Sequence, residues 1–87
     1  MGNNCTHFDS ENLKEAKAYE CEECVKTGDV WVHLRTCQSC GVTLCCDNSV
    51  NQHATKHAKV SGHPVVISAE PGERWAWCYP DEVFIRY

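Results

Sequence analysis

The 87-residue sequence has no long apolar run. Its longest aliphatic stretch is Val65-Val66-Ile67, far short of the roughly 20 residues that span a bilayer, so no membrane segment is expected. The opening MGNNCTHFDSENLK lacks the apolar core of a secretory leader. A cytoplasmic setting, where thiols stay reduced, is the expectation that follows. Positive charge is also short: 8 Lys and Arg stand against 12 Asp and Glu, for a net charge of −4. A protein that grips a phosphate backbone needs a basic face, so nucleic acid is not an expected partner. Internal repeats and low-complexity tracts are missing, and the length suits a single domain over residues 1–87. A chain this short buries only about 60–65% of its unfolded surface, so its core needs staples.

The staples are the conspicuous content. Eight Cys and five His occur in 87 residues, and in a reducing compartment Cys-rich chains hold metal rather than disulfides. The densest stretch, CQSCGVTLCCDNSVNQHATKHAKVSGH, runs from Cys37 to His63. It contains Cys37-x2-Cys40, the adjacent Cys45 and Cys46, then His53, His57 and His63. A Cys-x2-Cys knuckle aims two thiolates at one point, and His four apart share a helix face. Thiolate with imidazole is the donor preference of tetrahedral Zn²⁺. Cys5-x-His7 and Cys21-x2-Cys24 lie upstream, and Cys78 lies downstream. A thioredoxin-like role for Cys21 and Cys24 is disfavoured, since two Glu between the sulfurs oppose ionisation of the thiols.

Hydrophobic pattern places these groups on a small α+β framework, a mixed sheet with one main helix cross-braced by two to three zinc ions. Strands are expected at residues 30–36, where Val30, Val32 and Leu34 alternate, and at 42–44, 65–68, 75–79 and 82–87. The helix is expected over about 50–59, capped by Asp47, Asn48 or Ser49 and stopped by Ser61-Gly62-His63-Pro64. Residues 10–19 read as a short solvated helix capped by Ser10, or as an ordered loop. His33 has no partner at ligand spacing and reads as a surface residue.

Two divisions of the ligands are possible. Cys37, Cys40, His53 and His57 fit the spacing of a DNA-reading ββα finger, with Leu44 and Val50 at its core positions. Its base-contacting positions would then be Cys46, Ser49 and Gln52, with no Arg or Lys among them. The other division uses nearly every candidate: Cys5 and His7 with Cys78; Cys21 and Cys24 with Cys45 and His53; Cys37 and Cys40 with His57 and His63. Cys46 is left over, either an inert buried thiol or a redox or metal-sensing one.

The ordered set Cys-x-His, Cys-x2-Cys, Cys-x2-Cys-Gly-x3-Cys, His-x3-His, Ser-Gly-His-Pro and Trp-Cys-Tyr resembles the UBP-type zinc finger of ubiquitin-specific proteases and a histone deacetylase. The likeness covers Cys5 to about Tyr87. It implies a twisted sheet with a packed helix, three zincs divided in the second way, and a non-catalytic module that binds a protein or peptide tail, such as the free C-terminus of ubiquitin, as a monomer. It puts Asp81 where the family has a fourth Cys. Either Asp81 completes a site with Cys5, His7 and Cys78, or it is a solvated turn residue and two ions remain. Trp77 and Tyr79 match aromatic walls of the family's tail pocket. At the usual carboxylate-reading Arg and the aromatic after it, this chain has Asp47 and Asn48, which puts ubiquitin binding in doubt. Arg35 stands where the family has Trp, a cation on the opposite wall.

Overall fold

The computed structural model describes residues 6–9 and 11–87; the expectations for Cys5 as a ligand and Ser10 as a cap lie outside them. In chain order the elements are α1 (Glu22–Thr27), β1 (Leu34–Cys37), β2 (Thr43–Cys45), α2 (His53–Ser61), β3 (Val65–Ser68), β4 (Trp75–Cys78) and β5 (Val83–Arg86). The strands form one sheet in the order β2-β1-β3-β4-β5. Every pairing is antiparallel, where a mixed sheet was expected. Turns of four to six residues join β1 to β2, β3 to β4 and β4 to β5, and so short a link can only reverse the chain. The helical crossover from β2 to β3 does return in the same direction, but β1 lies between the two, so no parallel neighbours result.

The strand expected over residues 30–36 begins only at Leu34, with Val30 76% and Val32 53% exposed. β2 ends opposite Leu34, and the chain beyond it bends away. The Val32 N–H instead donates to the Ser49 hydroxyl at 2.8 Å, and the His33 carbonyl accepts from Cys46 N–H at 3.0 Å. Residues 11–20 are loop rather than helix. The Gln38 side-chain amide takes both backbone groups of Lys14, accepting at 3.0 Å and donating at 2.8 Å, and Tyr19 donates to Glu70 at 2.6 Å.

The main helix starts at His53, three residues later than expected. Ser49 is engaged with Val32, and Gln52, in the left-handed region at φ 51°, offers no side-chain cap. A sulfur serves instead: the His53 N–H donates to Cys45 Sγ at 3.2 Å. The short α1, which hydrophobic period does not announce, is capped the same way by Cys21 Sγ from Cys24 N–H at 3.3 Å. Gly62 ends α2 at φ 75°, a conformation that costs a side chain energy and glycine little.

Two small cores result. Cys21, Cys24, Leu34, Leu44, Cys45 and Ala54 form one; Val65, Ile67, Ala76 and Cys78 form the other, with Phe8, Leu13 and Tyr87 packed against it. The largest fully buried side chains are Leu34 and Val65, then threonines and cysteines, and no aromatic ring is among them. Apolar burial on this scale is thin for a domain, and the cysteines sit where larger side chains would otherwise be.

Candidate functional site

The knuckles, strand ends and α2 bring residues distant in sequence to common points. Cys21, Cys24, Cys45 and His53 form one cluster; Cys37, Cys40, His57 and His63 form a second; His7, Cys78 and Asp81 form a third. Within each cluster the donor atoms lie within 4.8 Å of one another. In the first cluster His53 Nδ1 lies 3.4, 3.4 and 3.5 Å from the sulfurs of Cys21, Cys24 and Cys45, and the Cys24 and Cys45 sulfurs are 3.9 Å apart. A ring nitrogen has one proton or one lone pair, so three equidistant sulfurs are not three hydrogen bonds. They match donors around a tetrahedral ion: with Zn–S of about 2.3 Å and Zn–N of about 2.0–2.1 Å, sulfur–nitrogen edges are about 3.6 Å and sulfur–sulfur edges about 3.8 Å.

The other clusters meet the same measure. Cys37 Sγ is 3.4 Å from His63 Nδ1, Cys40 Sγ is 3.4 Å from His57 Nε2, and the two ring nitrogens are 3.3 Å apart. Cys78 Sγ lies 3.3 Å from His7 Nδ1 and 3.5 Å from Asp81 Oδ2, which is 3.3 Å from His7 Nδ1. An oxygen ligand at about 2.0 Å from zinc predicts edges of about 3.5 Å to sulfur and about 3.3 Å to nitrogen. These donor sets therefore fit zinc, and Asp81, although in an exposed turn, stands at a ligand's distance from His7 and Cys78.

Burial and charge shape the clusters' chemistry. Burial first, and then the Cys21 sulfur, push the Cys24 thiol up to about 12, and burial likewise pushes Cys37 up. Such thiols ionise only when a cation or hydrogen-bond donors favour the thiolate. All three sulfurs of the first cluster receive an N–H: Cys21 from Cys24, Cys45 from His53, and Cys24 from the Asn51 amide at 3.7 Å. Burial, then the neighbouring His63, holds His57 below its ordinary value and leaves its imidazole neutral for a metal.

His53 and His57 share a helix face yet serve different clusters, so the ββα division fails. That division needs both on one ion, and His57 instead meets His63. α2 thus acts as a strut with one foot in each of these two clusters. His33 is exposed and joins no cluster among the described residues. Cys46, one residue from Cys45, is 4% exposed and also joins none; its sulfur lies 3.7 Å from the Ser49 hydroxyl. Burial opposes its ionisation, but Ser49 and backbone N–H groups outweigh burial and lower its pKa.

Beside the second cluster runs an aromatic groove. A hollow of about 260 Å³ is lined by all five residues singled out from the sequence, Arg35, Asp47, Asn48, Trp77 and Tyr79. Trp75, Phe84, Val66 and Cys46 line it too. Trp75 and Trp77 alternate onto one face of β4, and the register sets Phe84 opposite Trp77. Their period of two was visible in the sequence; the strand partner was not. The Trp77 ring meets Phe84 edge-on at 5.0 Å and Tyr79 at 6.5 Å. The Arg35 guanidinium lies 4.5 Å over Trp75, with Nη1 donating to the Leu34 carbonyl at 2.9 Å. Trp77, Tyr79 and Asp47 also border a second hollow of about 480 Å³, toward Pro80 and Glu82. Thr55 gives its single hydroxyl proton to Asp47, which leaves the Tyr79 phenol to donate to Thr55 at 3.3 Å.

Comparisons with known proteins show the family to which this fold belongs. The profile of the family described as "Zn-finger in ubiquitin-hydrolases and other protein" matches residues 21–87. Ubiquitin carboxyl-terminal hydrolase 45 of Mus musculus is 40% identical over 74 residues, covering 80% of this chain and 8% of the hydrolase. The NAD-dependent deacetylase sir2A of Dictyostelium discoideum is 32% identical over 73 residues, covering 84% of this chain and 13% of the deacetylase. Histone deacetylase 6 of Caenorhabditis elegans is 34% identical over 66 residues, covering 76% of this chain and 6% of that protein. The chain thus spans about an eighth or less of these relatives. A Rhodopseudomonas palustris protein solved by solution NMR superposes with a TM-score of 0.83 at 45% identity, covering 94% of this chain and 80% of that one. The chain belongs to the family of zinc fingers found in ubiquitin hydrolases and other proteins.

Proposed function

We propose that this chain is a non-catalytic, zinc-braced binding module that takes a protein or peptide tail in the groove walled by Trp77 and Tyr79. The observation that carries the reading is the convergence of Arg35, Asp47, Asn48, Trp77 and Tyr79 on one hollow. Three ions brace it: one in each four-residue cluster, and one held by His7, Cys78 and Asp81. The ions hold the backbone in shape where the apolar core is small. We further propose that it works as a monomer in the reducing cytoplasm, where its thiols stay available to metal.

The relatives that are ubiquitin hydrolases make ubiquitin the first ligand to try. Asp47 counts against a terminal carboxylate in this groove, because like charges repel more strongly as a site dries. The test is calorimetric titration of the zinc-loaded chain with ubiquitin and with ubiquitin lacking its last two glycines. Tight binding of the intact form alone would establish the family ligand; equal or absent binding rejects it and leaves other tails. A redox role for Cys46 is the weaker reading, since its sulfur is buried against Ser49.

A further inference from the structure

We propose that the groove selects a tail carrying a basic side chain, Lys or Arg, seated at the corner of Trp77 and Tyr79 and facing Asp47. The inference rests on the groove being the binding site. Asp47 borders both hollows together with Trp77 and Tyr79, so a side chain at their junction sees a carboxylate. That carboxylate is held in place: Thr55 donates to one oxygen, and the Gln52 amide donates to the Asp47 carbonyl at 3.1 Å. Its second oxygen retains acceptor capacity for an ammonium or guanidinium.

The rings add to the preference. Trp77 stands at 90° to Tyr79 and at 64° to Phe84, which makes a corner of ring faces and edges. Ring faces attract cations and repel anions. Arg35, the cation in the first hollow, already lies over Trp75 and donates to Leu34. The second hollow is lined by Lys59 and His63 together with Glu82 and Asp47. Of these charged groups, Asp47 alone borders both hollows. A terminal carboxylate at the junction would meet both a carboxylate and ring faces; a basic side chain is favoured by both.

The test uses capped, glycine-rich peptides with Lys, norleucine or Glu at one central position, plus the norleucine peptide as a free acid. Tryptophan fluorescence of the zinc-loaded chain reports binding at low ionic strength, where charge effects are least screened. The Lys peptide is expected to bind about tenfold tighter than the norleucine peptide, with the Glu peptide weakest. In the Asp47→Asn chain that advantage should shrink to about twofold or less. Equal binding of Lys and norleucine, tightest binding of the free acid, or an undiminished preference in Asp47→Asn overturns the inference. The Trp77→Ala chain separates the two levels. Loss of all binding there, without a Lys preference in the parent, sinks only the charge selection. Unchanged binding there, or no binding of any peptide to the parent, sinks the groove itself.

Discussion

Cys45 and Cys46 are neighbours in sequence, at 0% and 4% exposure, and replacing each by Ala should have consequences of different scale. Cys45 Sγ lies 3.5 Å from His53 Nδ1 and 3.9 Å from Cys24 Sγ, and it caps α2 through the His53 N–H. Loss of its sulfur takes away one donor of four and the side-chain acceptor that caps the start of that helix. A structural zinc site contributes on the order of 10–16 kcal/mol, against roughly 5–15 kcal/mol for a whole domain. Even a third of the former, about 3–5 kcal/mol, is comparable to the total stability. Cys45→Ala should therefore lose one zinc by native mass spectrometry and lose near-ultraviolet dichroism at room temperature. Cys46→Ala removes a small buried group that joins no cluster among the described residues, a change worth about 1–2 kcal/mol. It should keep every ion and unfold only slightly earlier in urea. Equal destabilisation of the two variants with unchanged zinc content would refute the assignment of the cluster.

Asp81→Ala should release one ion and leave the other two in place, because its cluster is separate from both Cys/His quartets and its side chain is 42% exposed; native mass spectrometry after mild chelation reads the count, and unchanged stoichiometry would exclude Asp81 as a ligand. Exhaustive chelation of the wild type should abolish near-ultraviolet dichroism, since the buried apolar side chains are few and small; a metal-free chain that kept its signal would show that the ions are dispensable. Burial first, and then hydrogen bonding to Glu70, raise the Tyr19 phenol to about 12. The folded state holds this proton more tightly than the unfolded chain, so the tie to residues 11–20 is intact below pH about 10 and is lost as pH rises through about 12. Phenolate absorbance should then show a late titration that moves only part of the way down in Glu70→Gln, because burial still raises Tyr19 and also raises Tyr79 and Tyr87; an unshifted titration there would count against the tie.

Much of the framework could be read from local pattern. The strand expected at residues 65–68 coincides with β3, and those at 75–79 and 82–87 contain β4 and β5, because each is a short run rich in β-branched or aromatic residues between turn residues. The Cys-x2-Cys pairs act locally too: a knuckle's geometry depends on its own few residues, as the left-handed Gly41 at φ 83° beside Cys40 illustrates. The helix start was misjudged because Asp47, Asn48 and Ser49 have the chemistry of caps. The cap came from Cys45 Sγ, eight residues upstream of His53 and on another element.

By itself, then, the sequence determined the donor types, their pairing into knuckles and the β-branched and aromatic runs of the C-terminal strands, all properties of short spans. Tertiary structure decided which distant donors come together. His53 and His57 are equivalent by spacing, and only the packing of α2 against β1 and β2 sends one to Cys45 and the other to Cys40. It also decided the antiparallel sheet and the groove. Trp77 meets Phe84 through strand register, and Asp47 reaches the same hollow from the loop before α2. Register and long-range contact belong to the whole fold, since they depend on which surfaces are buried together, and no local window of residues carries that information.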